Sequence, residues 1–220
     1  MCVHLTQCLV ISYTNDEARF RWAVCQLDEL GKCLNQKMLQ KALATLPSTL
    51  DQTYNRILAA ISEEHSQYAL HILRWLAFSA RPLSIDEVAE VVTIDAKRDP
   101  AFDRDEVLQD PLDALNICSS LITITVDSNY RWENDYEWES NYRRKDSSRQ
   151  IVTLAHYSVK EDLVSDRIWK GEAAKYSMQD NTCHDTIARS CLGYLLQFQQ
   201  PELELDCLRK FRLARYSAKF

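Results

Sequence analysis

The sequence predicts a mainly α protein: a helical bundle module, then a winged helix with a small two-stranded β wing, then C-terminal helices. Two observations predict it, and a third narrows what it can do. Apolar residues recur at three- and four-residue spacing along most of the 220-residue chain. The segments between positions 67 and 154 run helix, helix, helix, strand, loop, strand, the order of a helix-turn-helix variant with a hairpin. Glycine is limited to three residues, Gly31, Gly171 and Gly193. That count excludes a GxGxxG loop, a Walker A loop and a GxSxG elbow, each of which needs several glycines for tight turns or close backbone approach.

Taken in order, residues 1–16 have no clear period and are expected to form an irregular leader. From Glu17 the pattern is helical, with Phe20, Val24, Leu27, Leu30 and Leu34 as one stripe and Arg21, Asp28 and Glu29 off it. A second helix carries Met38, Leu39, Ala42, Leu43 and Leu46 and stops at Pro47. Ser48 to Asp51 reads as a capping box, with Asp in the place of Glu, opening a helix that turns Leu50, Tyr54, Ile57, Leu58 and Ile61 inward. These elements make a helical module over 17–66.

A winged-helix domain is expected over 67–170. Tyr68–Ala80 is a largely apolar helix ended by Arg81-Pro82, and Ser84 to Glu87 is a second capping box. A polar connection, 95–109, leads to Asp110-Pro111, an N-cap with proline in the first helical position, and a helix to Leu121. Ile122–Val126 and Gln150–Leu154 are the two strands, separated by a long polar wing loop, 127–149. His156–Ser165 reads as a helix. Residues 171–220 form a C-terminal helical connector, with a helix over Thr186–Phe198 and a break at Pro201.

Charge and cysteine usage narrow the function. The net charge is −6 and the pI near 5.4, against the concentrated basic surface that a phosphate-backbone binder needs. The third helix of the winged unit, Pro111–Leu121, contains no Lys or Arg, the residues with which duplex readers contact base edges. The wing loop interleaves carboxylates with Tyr130, Trp132, Tyr136, Trp138 and Tyr142, which suits a solvated loop better than a base-stacking one. The basic residues Arg209, Lys210, Arg212, Arg215 and Lys219 near the end suit a solvated helix face. Eight cysteines show no CxxC pair and no zinc spacing, so reduced thiols in a cytoplasmic protein are expected. His4, His65, His71 and His184 have no partner at catalytic or metal spacing, and HExxH is absent. We expect no catalytic residues, no metal site and no cofactor. His156 stands where the second strand meets a helix, where histidine caps backbone or donates to an anion.

Three segments together carry a resemblance: FRWAVCQLDEL (20–30), LPSTLDQTYNRIL (46–58) with LRWLAFSARPLSIDEVAEV (73–91), and LAHYSVKEDLVSDR (154–167). They resemble, in order and spacing, the arm that follows the NTPase domain in fungal STAND proteins of the NACHT–ankyrin, NLR-like group. The winged-helix part resembles the module named after GPI inositol-deacylase. The ending LARYSAKF looks like a lead-in to ankyrin repeats. The resemblance implies a non-enzymatic regulatory and scaffold region, here without the P-loop and ankyrin parts that would be its partners, and with no DNA or membrane partner. Self-association is a further expectation, because Tyr68–Ala80 is apolar on nearly all faces and would be left uncovered. His156 resembles the histidine of the MHD-type motif, which contacts the phosphate of bound ADP in such proteins. Tyr157 stands where that motif has Asp, and the contact is latent unless an NTPase domain is present. The rival classes are a winged-helix nucleic-acid binder and a fragment without independent function.

Overall fold

The computed structural model describes residues 2–126, 150–199 and 211–220. The wing loop 127–149, with its aromatics, and the basic pair Arg209 and Lys210 lie outside the described residues. Among the described residues the chain is mainly helical with one small antiparallel sheet, and it divides into two compact units. The first is Met1–Ala60 with His156–Ser177; the second is Ile61–Ala155 with Met178–Phe220. This division departs from the expected boundaries at both ends of the winged helix. Residues 156–170 join the helical module, and the C-terminal helices belong to the winged-helix unit.

In the first unit, α1 runs over Cys2–Gly31, α2 over Gln36–Ala44 and α3 over Leu50–Ala59. The expected irregular leader is corrected by this: residues 2–16 are helical and continuous with the segment after them, and no Pro or Gly before Gly31 interrupts the helix. The capping of α3 is shifted by one residue from the expected box. Thr49 is the N-cap, its side chain accepting from Gln52 N at 3.2 Å, while Gln52 Oε1 accepts from Ser48 N.

A soluble helix ordinarily turns its apolar stripe to the core. Here α1 turns the opposite face inward. Arg21, Cys25 and Gln26 are buried, whereas Phe20 and Leu27 are exposed. The reason lies in hydrogen bonding. Gln26 Nε2 donates to Thr53 Oγ1 at 2.9 Å and Trp22 Nε1 donates to Pro47 O at 2.9 Å, so the inward face, which also buries Cys25, makes hydrogen bonds to its neighbours even though Gln26 Oε1 has no partner there. After α7 (Tyr157–Leu163) the chain crosses α3 again, where Asn55 Oδ1 accepts from Ala173 N at 3.0 Å. A Cβ on Gly171 would collide with that same Asn55 oxygen, so glycine is what lets the two segments approach.

The second unit is built on α4 (Glu63–Phe78), with β1 (Leu83–Ser84), α5 (Ile85–Val91), α6 (Asp113–Cys118), β2 (Ile122–Val126), β3 (Gln150–Leu154), α8 (Asp180–Leu196) and α9 (Ala214–Lys219). The Ser84 capping box is complete: Ser84 Oγ accepts from Glu87 N, and Glu87 Oε2 accepts from Ser84 N. Arg81 adds two hydrogen bonds to the same Glu87 carboxylate. α6 starts later than Asp110-Pro111, because Asp110 Oδ1 accepts from Leu112 N and holds a turn ahead of the helix. Among the described residues the sheet has three strands rather than two, in the order β1-β3-β2. β3 is central, pairing Val152 with Leu83 on one side and with Ile124 on the other.

No residue of 68–79 is exposed: α4 packs against α6, α8 and β3, burying Ile72, Leu73, Trp75 and Phe78. The expectation that this helix presents an uncovered apolar face is therefore corrected, because α8 and the end of the chain cover it. Tyr216 of α9 lies against Trp75, with ring centroids 5.5 Å apart, and accepts from Ala80 N.

One buried carboxylate fastens the end of this unit. Glu90 accepts from Tyr194 Oη at 2.6 Å, from Leu213 N at 2.9 Å and from Arg212 N at 3.0 Å. Burial pushes its carboxyl above the ordinary carboxylate range, against the pull of those three donors. Removing it leaves three donors without an acceptor. Glu90→Ala is expected to lower the unfolding free energy by about 3 kcal/mol in urea denaturation. Tyr194→Phe, which leaves both amides accepted, should cost about 1 kcal/mol. A loss for Glu90→Ala no larger than for Tyr194→Phe would show that water replaces the carboxylate.

Candidate functional site

The site gathers on His156, at the entrance to α7. Its backbone is extended, with φ −161° and ψ 150°, and its side chain serves as the N-cap. Nδ1 accepts from Ser158 N at 3.2 Å and lies 2.7 Å from Ser158 Oγ. Ser158 Oγ is in turn 2.8 Å from Tyr54 Oη of α3, and Arg21 of α1 hydrogen-bonds to Tyr54. A consistent assignment of protons runs in one direction. Arg21 donates to Tyr54, Tyr54 to Ser158, and Ser158 to Nδ1, which is left as a pure acceptor. The ring is then neutral with its proton on Nε2. Burial and the Arg21 charge both hold His156 below its ordinary range, which favours that neutral form. Burial raises Tyr54, so the phenol keeps the proton that the relay needs.

The side chain of His4 lies outside the described residues; among the other histidines singled out from the sequence, His156 enters a polar constellation. His65 is exposed, His71 is held low by burial and by Arg74, and the ring of His184 stands edge-on to Phe78 at 5.5 Å. They do not come together. Sequence reading missed Arg21, Tyr54 and Ser158 as His156's partners. Arg21 stood off the apolar stripe, the one signal available for it. The Ser158 hydroxyl two residues after His156 was the signal for the cap, since Ser placed there brings both its N–H and its Oγ to the ring.

The face that reads duplexes in other winged helices carries no base here. α6 buries Ala114, Ile117 and Cys118, and its outward residues are Leu112, Asp113 and Asn116. Asn116 Nδ2 is occupied by Asp113 Oδ1 at 3.1 Å. Among the described residues, no group of three or more His, Cys, Asp or Glu could hold a metal ion, and no helix is long and apolar enough to cross a membrane. Cys25, Cys33, Cys118, Cys183 and Cys191 are free thiols. Burial pushes Cys118 up to about 12, so it stays a thiol and packs as a small hydrophobe.

Below His156, α7 buries Asp162, whose carboxyl is pushed up to about 6 by burial, with the Asp51 carboxylate adding and Arg167 opposing. A carboxyl raised in the fold binds protons better in the native state. Its stability contribution is therefore full below the unfolded value and falls as pH rises from about 4 to about 6. Asp162→Asn is expected to abolish that slope and to gain on the order of 2 kcal/mol at neutral pH, read from urea melts across the acid range. Unchanged slopes would overturn this. His156→Ala, which removes the cap, should cost about 1 kcal/mol in the same assay at neutral pH.

The protein named azaphilone pigments biosynthesis cluster protein L, of Monascus ruber, is 32% identical over 205 residues, which cover 91% of this chain and 40% of that protein. The chain thus spans about two fifths of the length of the curated relative it matches. No solved structure matches it. Residues 54–133 match the family model described as GPI inositol-deacylase, winged helix domain. The chain carries a winged helix domain of the GPI inositol-deacylase type.

Proposed function

We propose that the chain acts as a non-enzymatic regulatory and scaffold region of a NACHT–ankyrin, NLR-like signalling protein. In this reading the winged helix couples a nucleotide-switching NTPase part to an ankyrin sensor, through contacts that differ between two states. The observation that carries the reading is the outward face of α6. A winged helix that presents Leu112, Asp113 and Asn116, with no base, suits a protein partner and not a phosphate backbone. The match to a much longer relative supports a chain that works beside further domains. A cytoplasmic location goes with this, and the free thiols at Cys25, Cys118, Cys183 and Cys191 support it.

His156 holds a latent role within the same proposal. With Nδ1 taken by Ser158, the ring keeps Nε2–H as a donor, the group that an ADP phosphate on an NTPase domain would receive. The chain by itself is expected to show no ATP turnover and no duplex binding. Fluorescence anisotropy with a labelled duplex at low salt, alongside a phosphate-release assay, tests both. Sub-micromolar, steeply salt-dependent binding would establish the nucleic-acid reading instead. ATP turnover that is lost in His156→Ala would overturn the non-enzymatic one.

A further inference from the structure

The inverted packing of α1 leaves an apolar surface that remains exposed among the described residues of the first unit. Phe20 is 74% exposed and Leu27, two turns along the same face, 67%. Leu34, in the connection to α2, is 90% exposed. α2 adds Met38, Leu39 and Leu43, at 44%, 37% and 51%, and buries no residue at all. An amphipathic helix with nothing buried is unusual in a soluble unit, since packing of the apolar face is what stabilises so short a helix. α1 packs against α2, and Leu34 stands at their corner.

We infer that this α1–α2 face is a homodimer interface, occupied by the same face of a second copy. Charge favours a second copy. Residues 16–32 carry four acids, Asp16, Glu17, Asp28 and Glu29, against Arg19, Lys32 and the buried Arg21. Asp16 lies 3.8 Å from Arg19, Glu29 pairs with Lys32 and Glu17 hydrogen-bonds to Tyr157, which leaves Asp28 as the acid of α1 best placed to meet a second copy. α2 carries Lys37 and Lys41 and no acid. A two-fold axis that lays α2 of each copy along α1 of the other sets the lysines of one against Asp28 of the other, twice. Area agrees. The six exposed side chains present on the order of 600 Å² of apolar surface, most of the roughly 800 Å² that one partner gives to a standard interface. The homodimer requires neither the α6 face nor the His156 cap, so it stands or falls separately from the proposed function.

Sedimentation equilibrium of the full chain across a concentration series is the test. The expected result is a reversible monomer–dimer equilibrium, with a dissociation constant in the micromolar range. Leu27→Glu with Leu43→Glu should weaken it at least tenfold without changing the far-ultraviolet circular dichroism. Leu192→Glu, on an exposed residue of α8 in the other unit, should leave it unchanged. Lys37→Glu with Lys41→Glu should weaken the homodimer, and mixing that variant with Asp28→Lys should restore a heterodimer. A monomer at every concentration would overturn the proposal. So would a dimer lost in Leu192→Glu but kept in the Leu27/Leu43 variant, or irreversible aggregation indifferent to all of these changes.

Discussion

Glu90 is the interaction on which the winged-helix unit depends. A lone carboxylate buried at 5% exposure is costly, and it persists only where donors replace its water. Here a phenol and two successive backbone amides do so, and they come from α8 and from the entry to α9. That one group ties the last segment of the chain to a helix more than a hundred residues earlier. Around it the aromatics close in: Phe102 meets Tyr194 at 4.8 Å and Phe198 meets Phe211 at 4.9 Å. Gly193 lets Ala101 come within 2.8 Å of where a Cβ would stand, so the polar connection between α5 and α6 is pinned onto α8. Once these contacts form, α8 lies over α4, and α4 becomes the centre of the unit. The carboxylate clamp and the cover over its apolar face thus meet in the same helix, α8.

Much of this was legible in the sequence, and what was not has a physical reason. Helix existence followed from spacing, and the Ser84 box and the two main strands followed from local chemistry that tertiary structure had no cause to override. Leu83–Ser84 was not legible as a strand because two residues carry no period. It pairs only because β3 presents Val152 and Ile151 opposite it. The boundary after Ala155 was hidden for a similar reason. A winged helix ends where its last strand ends, but the sequence runs on into α7 without a linker. Only the contacts of Tyr54 with Ser158 and of Asn55 with Ala173 reveal that α7 belongs to the helical module.

The candidate site was half legible. His156 could be singled out by position, but its partners lie 102 and 135 residues away along the chain, in Tyr54 and Arg21. No periodicity connects them. The orientation of α1 was not legible either, and it shares a cause with the site. Spacing reports which residues share a face, not which face packs. When Arg21 has a phenol to reach and Gln26 a hydroxyl, burying the polar face costs less than its composition implies. The apolar face is then free to remain outside.

α7 shows how these two tendencies meet in seven residues. At its start the cap requires His156 neutral, and burial with Arg21 nearby keeps it so. In its interior, Asp162 is pushed by burial toward its own neutral form, with Asp51 acting in the same sense. The two groups carry opposite slopes of stability against pH: acid charges the histidine and costs the cap, while base charges the aspartate and costs the interior. Between those limits the helix holds Ser158 where Tyr54 can reach it. Arg21 reaches Tyr54 only while α1 keeps its polar face inward, and that same rotation is what sets Phe20 and Leu27 outward. The polar relay and the exposed apolar surface are thus two sides of one helix orientation, and a change that turns α1 must disturb both.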